Sequence, residues 1–216
     1  MIVQYDGTHF FGWQVQAKGR TVQGDIEVAL QKIHLNKKIT LNGSGRTDSG
    51  VHAKGQVASI KIDSSLTAEQ LLKAINSSLQ KDVRIMSCNE VDEDFHARFS
   101  AKERRYEYRI VKEETPFIHK RAWFLKYDVD FNLLNKCASL VVGNHDFTPF
   151  CKANAEVEHK RCIVFDSFWE KTSSGLIYNV KANRFLQHMV RFLVGTMIEV
   201  GRGRMSFDDF KLFMDA

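Results

Sequence analysis

From Thr21 to Leu35 the apolar side chains of Val22, Ile26, Ala29, Leu30 and Ile33 recur on one helical face, behind a threonine suited to cap the first turn. This predicts a helix over that stretch. Between Val57 and Ile62 the period changes to two. Ala58, Ile60 and Ile62 fall on one side and Ser59 and Lys61 on the other, as in a half-buried strand. A second helical pattern runs from about Thr67 to Leu79, followed by an apolar strand near Val83 to Met86. With a short strand at the start, the first half reads strand, helix, strand, helix, strand. The second half repeats the plan: a strand Arg104 to Val111, a helix Phe131 to Val142, a hairpin of Cys162 to Glu170 and Leu176 to Ala182 turned at Ser173-Ser174-Gly175, and a helix Phe185 to Val200. A last helix begins near Ser206.

Two halves of similar element order predict an α+β chain of two ferredoxin-like units, residues 1–97 and 98–216, with the junction near Glu93 to Ala101. Their mostly antiparallel sheets are expected to meet side by side and leave a cleft. No sequence repeat or low-complexity segment marks the division, and only two prolines punctuate the chain.

Composition narrows the classes. With 216 residues, 44% of them hydrophobic, the chain can bury a sizeable core. Its 31 Lys and Arg against 26 Asp and Glu leave a formal +5, which favours an anionic partner without demanding one. Cys88, Cys137, Cys151 and Cys162 lie far apart with no CxxC pair, and Met1 opens no signal-peptide pattern, so a reducing cytoplasm is expected. The apolar runs are too short to span a bilayer. The histidines form no HExxH or cysteine–histidine spacing suited to zinc, so no metal is expected.

Three places carry candidate chemistry. The string Gly43-Ser44-Gly45-Arg46-Thr47-Asp48-Ser49-Gly50-Val51-His52 packs three glycines, an arginine and an acid into one loop. Glycine frees the backbone for positive φ and lets a ligand approach closely. The loop reads equally well as a tight turn whose Asp48 accepts backbone hydrogen bonds. No Lys-Ser or Lys-Thr follows the glycines, which excludes a P-loop. On the strand at 104–111, Tyr106 and Tyr108 share one face with Ile110, and Arg105, Glu107 and Arg109 share the other. The tyrosines are either core with tethered hydroxyls or a platform for a nucleobase. On the helix at 185–200, Arg184, His188 and Arg191 stack at i, i+4 and i+7, a face that ordinarily meets solvent. Arg191 sits between Val190 and Phe192, which suggests partial burial and a need for a carboxylate partner such as Asp48.

With these residues in view the chain resembles the TruA family of transfer RNA pseudouridine synthases over essentially its whole length. The resemblance is carried by Tyr5-Asp6-Gly7 with Phe11-Gly12-Trp13-Gln14, by Gly45 to His52, by Asp94-Phe95-His96-Ala97-Arg98-Phe99-Ser100, by Arg104-Arg105-Tyr106-Glu107-Tyr108, and by Asn183 to Gly195 around His188-Met189-Val190-Arg191. It implies the pseudouridine synthase fold and conversion of uridine to pseudouridine at positions 38 to 40 of the tRNA anticodon stem-loop. It also implies a homodimer that binds tRNA and uses neither metal nor organic cofactor. Asp48 then matches the catalytic aspartate, Arg46 the arginine that helps extrude the target uridine, Tyr106 the tyrosine that stacks on its base, and Arg191 the basic residue paired with the aspartate. Asp6, Trp13 and Gln14 match a strand and loop near the active cleft that touch RNA. His52, Arg98, Lys102, Arg105 and His188 are further RNA contacts on this reading.

Other basic residues, Arg20, Lys54, Arg104, Lys160 and Arg161, are candidates for phosphate or simply solvated charges. Family members continue through a further strand after the last helix, so the chain reads as shortened at its C-terminus. Two rival readings are a non-catalytic RNA-binding module and a hydrolase built on Ser44 or Asp48 with His52, although no GxSxG elbow is present.

Overall fold

A computed structural model describes residues 1–34, 37–152 and 159–215, which divide into two compact units, Met1–Ala101 and Lys102–Ala216. Leu35, the last residue of the first predicted helix, lies outside the described residues.

In the first unit β1 (Ile2–Tyr5), α1 (Val22–Ile33), β2 (Asn42–Gly43), β3 (Ala53–Ser59), α2 (Ala68–Ser78) and β4 (Val83–Ser87) follow one another. The strands form an antiparallel sheet in the order β2-β3-β1-β4, so the first strand is central. Both helices start as the sequence predicts. The Thr21 hydroxyl accepts the Gly24 N–H at the head of α1. At α2, Thr67 and Gln70 form a reciprocal capping box, and such a cap contributes about 1 kcal/mol. Val22, Ile26, Ala29 and Leu30 of α1 and Leu71 and Ile75 of α2 pack on Val3, Tyr5, Ala58, Val83 and Ile85 of the sheet.

The strand expected over 57–62 instead runs Ala53–Ser59. Lys54, Gly55 and Gln56 give no alternating pattern, and what makes them strand is backbone pairing with β1, Val3 opposite Gln56 and Tyr5 opposite Ala53. Ile60 and Ile62 still pack against the core from beyond the strand's end.

The second unit contains β5 (Arg104–Val111), β6 (Trp123–Phe124), α3 (Phe131–Val141), β7 (Gly143–Asp146), β8 (Arg161–Thr172), β9 (Gly175–Ala182), α4 (Met189–Gly201) and α5 (Phe207–Asp215). Its sheet runs β6-β5-β9-β8-β7, antiparallel except where β6 pairs with β5. The core joins α3 (Leu134, Cys137, Ala138, Val141) and α4 (Leu193, Val194, Met197, Ile198) to Trp169, Tyr178 and Val180. Burying side chains of this size stabilises a fold by roughly 1.5–3 kcal/mol each. Inside it the Tyr178 hydroxyl and Ser167 hydroxyl satisfy one another at 2.7 Å. At the head of α5 the Ser206 hydroxyl accepts the Asp209 N–H and donates to its carboxylate.

The helix predicted from Phe185 begins four residues later, at Met189. His188 adopts φ 65°, a left-handed conformation that no helical register accommodates, so residues 184–186 are irregular and 187–188 turn into α4. Arg184 and His188 therefore do not share a helical face with Arg191. The two short strands β6 and β7 were not legible, because two and four residues carry no period.

Candidate active site

The loop from Ser44 to His52 joins β2 to β3, and its shape is dictated by the connection between β1 and α1, which lies against it. Trp13 N–H donates to Thr47 O at 3.1 Å, and the hydroxyls of Tyr5 and Thr47 are 2.9 Å apart. After Asp48, the Phe10 carbonyl accepts both the Gly50 N–H at 3.2 Å and the Ser49 hydroxyl at 3.3 Å. The loop's own turn closes where Val51 N–H donates to Asp48 O at 3.2 Å. The residue on each side of Asp48 is thus held by the first connection, and Asp48 itself is half-buried.

Two glycines permit this approach. A Cβ at Gly12, whose φ is +94°, would strike Thr47 O, and a Cβ at Gly7 would strike Val51 O. Before Asp48 the loop is held differently: Ser44 N–H donates to Val57 O at 2.8 Å, and the Gln56 side-chain amide donates to Gly45 O at 2.6 Å. Arg46 is exposed. Gly45 has nothing within 4 Å of where a Cβ would stand, so the fold alone gives no reason for glycine there.

Asp6 and His52 flank the same loop. Asp6 Oδ1 accepts the Thr8 N–H at 3.0 Å and the Thr8 hydroxyl at 2.5 Å, and lies 3.1 Å from His52 Nδ1. Gly7 N–H also donates to that nitrogen at 3.1 Å. A nitrogen accepting this N–H has no proton to give Asp6, so the Gly7 bond and an Nδ1–H bond to the carboxylate are alternatives. Trp13, expected at RNA, is a core residue of this unit: its indole is 3% exposed, tilted against Tyr5, and occupies the space a Cβ at Gly43 would need. Gln14 beside it is exposed, as is Arg98, whose neighbour Ala97 donates its N–H to the Ser59 hydroxyl.

The second unit carries the other candidates. Tyr106 and Tyr108 are both half-buried on the core side of β5, and Tyr106 meets Phe185 edge to face at 4.9 Å. Burial raises the Tyr108 phenol above its ordinary value, while the positive charge of Arg191 acts the other way. Arg191 is exposed, contrary to the burial expected from its apolar neighbours: Phe192 beside it is itself 44% exposed, so that flank of α4 is no part of the core. Arg105 lies on the opposite face of β5 and donates to Asn179 Oδ1 at 3.2 Å, and Asn179 donates in turn to Glu170. Lys102 is exposed, and His188 is half-buried at the head of α4.

Tyr5, Phe10 and Thr47 were given no role from sequence, although Tyr5 and Thr47 lie within the quoted strings and Phe10 immediately precedes Phe11-Gly12-Trp13-Gln14. A buried tyrosine and phenylalanine look alike in any hydrophobic pattern, and their hydrogen bonds to the loop are tertiary. Among the described residues, no three His, Cys, Asp or Glu side chains gather as a metal-holding group.

The profile of the tRNA pseudouridine synthase family matches residues 1–100 and 137–216. The chain belongs to this family of isomerases acting on tRNA. It is 43% identical to tRNA pseudouridine synthase A of Bacillus pumilus over 217 aligned residues, covering 99% of this chain and 88% of that one. It is 40% identical to the protein of the same name from Geobacillus sp. strain WCH70, covering 99% and 87%. The corresponding protein of Pelodictyon phaeoclathratiforme is 43% identical, covering 96% and 86%.

Proposed function

We propose that this chain converts uridine to pseudouridine at positions 38 to 40 of the tRNA anticodon stem-loop, with Asp48 as the catalytic carboxylate. The observation that carries the reading is the clamped loop: Thr47 on one side of Asp48 and Ser49 and Gly50 on the other are tied to the β1–α1 connection, in a member of this family. A carboxylate carried on backbone held on both sides has less orientational freedom to lose on meeting substrate, which suits a positioned catalyst.

The reaction breaks the bond from N1 to the ribose, turns the uracil and rejoins it through C5, so the nucleotide must leave its stack. Flipping costs a few kcal/mol. Arg46, exposed beside the loop, takes the space the base vacates, and Tyr106 stacks on the extruded uracil, since base–aromatic stacking contributes about 1–3 kcal/mol. Asp48 acts in its ionised form on the ribose, with Arg191 as the basic residue that the resemblance pairs with it. The C5 proton leaves to the Tyr106 hydroxyl or to water. Gln14, Arg98, Lys102 and Arg105 contribute contacts to RNA, and Asp6 and His52 brace the loop. On the same reading the protein works in the cytoplasm as a homodimer, without metal or organic cofactor.

Tritium release from tRNA carrying 5-tritiated uridine tests the proposal. The full chain should release tritium, and Asp48→Ala should abolish release while tRNA binding persists. Binding without release by the unsubstituted chain would instead favour an RNA-binding module, and full release by Asp48→Ala would remove Asp48 from the chemistry.

A further inference from the structure

Arg20 is one of the basic residues that the sequence offers to RNA phosphate, and its surroundings give it a different use. Nε and Nη2 donate to Asp25 Oδ2 at 2.8 and 2.6 Å, and Nη1 and Nη2 donate to Asp82 Oδ2 and Oδ1 at 2.6 and 2.8 Å. Four of the five guanidinium donors are thereby occupied. One cation between two carboxylates leaves a local formal charge of −1, which repels a phosphate. The guanidinium carbon also lies 4.2 Å from the centroid of the Phe10 ring, a cation–π contact on a ring that is 2% exposed.

What this ion cluster joins is the frame of the Asp48 loop. Asp25 stands in the first turn of α1, and Asp82 precedes β4 and accepts the Asp6 N–H on its carbonyl at 2.8 Å. The Arg20 carbonyl accepts the Phe11 N–H at 2.8 Å, next to the residue whose ring the guanidinium covers. That residue, Phe10, supplies the carbonyl that holds both Ser49 and Gly50. Phe10 N–H also donates to Gly7 O at 3.0 Å, and the guanidinium over its ring is itself fixed by carboxylate pairs, charge-assisted bonds about twice as strong as neutral ones.

We infer that Arg20 is a positioning residue for the Asp48 carboxylate, acting through Phe10 and the two residues after Asp48, and not a contact to RNA. This rests on the reading of Asp48 as the catalytic group. Loosening Phe10 lets Ser49 and Gly50 drift, and small misplacement of a catalytic group is costly in rate while leaving the RNA-binding surface intact.

The test uses the full chain with Arg20→Gln, Arg20→Lys and Asp48→Asn. Tritium release gives kcat and KM, and filter binding of the same tRNA across a salt series gives affinity. Arg20→Gln should lower kcat by roughly ten- to a hundredfold, with KM, affinity and salt slope at wild-type values. Arg20→Lys, which keeps the charge and loses the fork, should fall between Gln and wild type. If Arg20→Gln does not fold, Arg20→Lys carries the same comparison. Wild-type kcat in the Arg20 variants, with Asp48→Asn inactive, overturns the inference alone. So does weakened binding with a shallower salt slope, the mark of a lost phosphate contact. A deficit in kcat that disappears on cooling reports loss of folded protein and also overturns it. Wild-type turnover by Asp48→Asn would instead overturn the reading of Asp48, and the inference with it.

Discussion

Gly12 and Gly50 both have positive φ, yet the structure asks different things of them. At Gly12 a Cβ meets Thr47 O as well as a φ of +94°, whereas at Gly50 the φ is +77° and the space is open. A left-handed non-glycine residue costs of order 1–3 kcal/mol, and only Gly12 adds a collision with the backbone beside Asp48. Gly12→Ala should therefore lower the urea midpoint more than Gly50→Ala and also reduce tritium release in the fraction still folded. Gly45→Ala, with neither constraint, should leave the midpoint unchanged; a loss of turnover in that variant would report close approach of RNA to the loop. Equal midpoints for the Gly12 and Gly50 variants would contradict this account. The string of three glycines in the loop was visible in sequence, but which glycines serve the fold was not, because the colliding atoms come from another segment. For the same reason Trp13, which the resemblance matches to a loop that touches RNA, is buried, and Arg191, expected to be partly buried, is exposed.

At the scale of elements, α1, α2 and α3 start within a residue of where period and capping residues put them, since both signals are local. α4 does not, because a left-handed His188 is a tertiary choice. The joining of α1 to the approach to β4 has a pH signature. Arg20 beside Asp82 holds that carboxyl below its ordinary value of 3.8, with burial opposing. A carboxyl whose folded pKa is depressed contributes its full stabilisation above the unfolded value and loses it as pH falls through the folded one. Unfolding midpoints followed from about pH 5 down to pH 2 should fall more steeply for the wild type than for Asp82→Asn, which lacks the group and starts lower at neutral pH. Parallel acid limbs would mean the Arg20–Asp82 pair contributes little. Arg20 itself is pushed further upward and stays charged throughout.

For the whole molecule the relevant quantity is charge, +5 over 216 residues. Some of the 31 Lys and Arg are paired, Arg20 with two aspartates, Lys181 with Asp166 and Lys112 with Asp128, so the excess rests on the others. The basic residues that remain exposed include Arg46, Arg98 and Lys102. Affinity for tRNA should weaken as salt rises, and Arg98→Ala and Lys102→Ala should each make the dependence shallower by about 0.7–0.9 in log–log slope, one phosphate's worth. Arg20→Gln should leave that slope alone. A salt-independent affinity would rule out an electrostatic hold on RNA.

Family, α+β class and the Asp48 loop followed from sequence, because they rest on residue types, on their order and on short-range periods of two and 3.6 that survive without coordinates. What holds the loop did not follow. The carbonyl of Phe10, the hydroxyl of Tyr5 and the guanidinium of Arg20 reach Asp48's neighbours and their frame across 39, 42 and 62 positions of chain. Contacts of that separation depend on the sheet bringing β1, β3 and β4 together, and a backbone carbonyl has no signature in the sequence at all. The catalytic candidate was therefore a matter of residue identity, and its restraint a matter of tertiary structure alone.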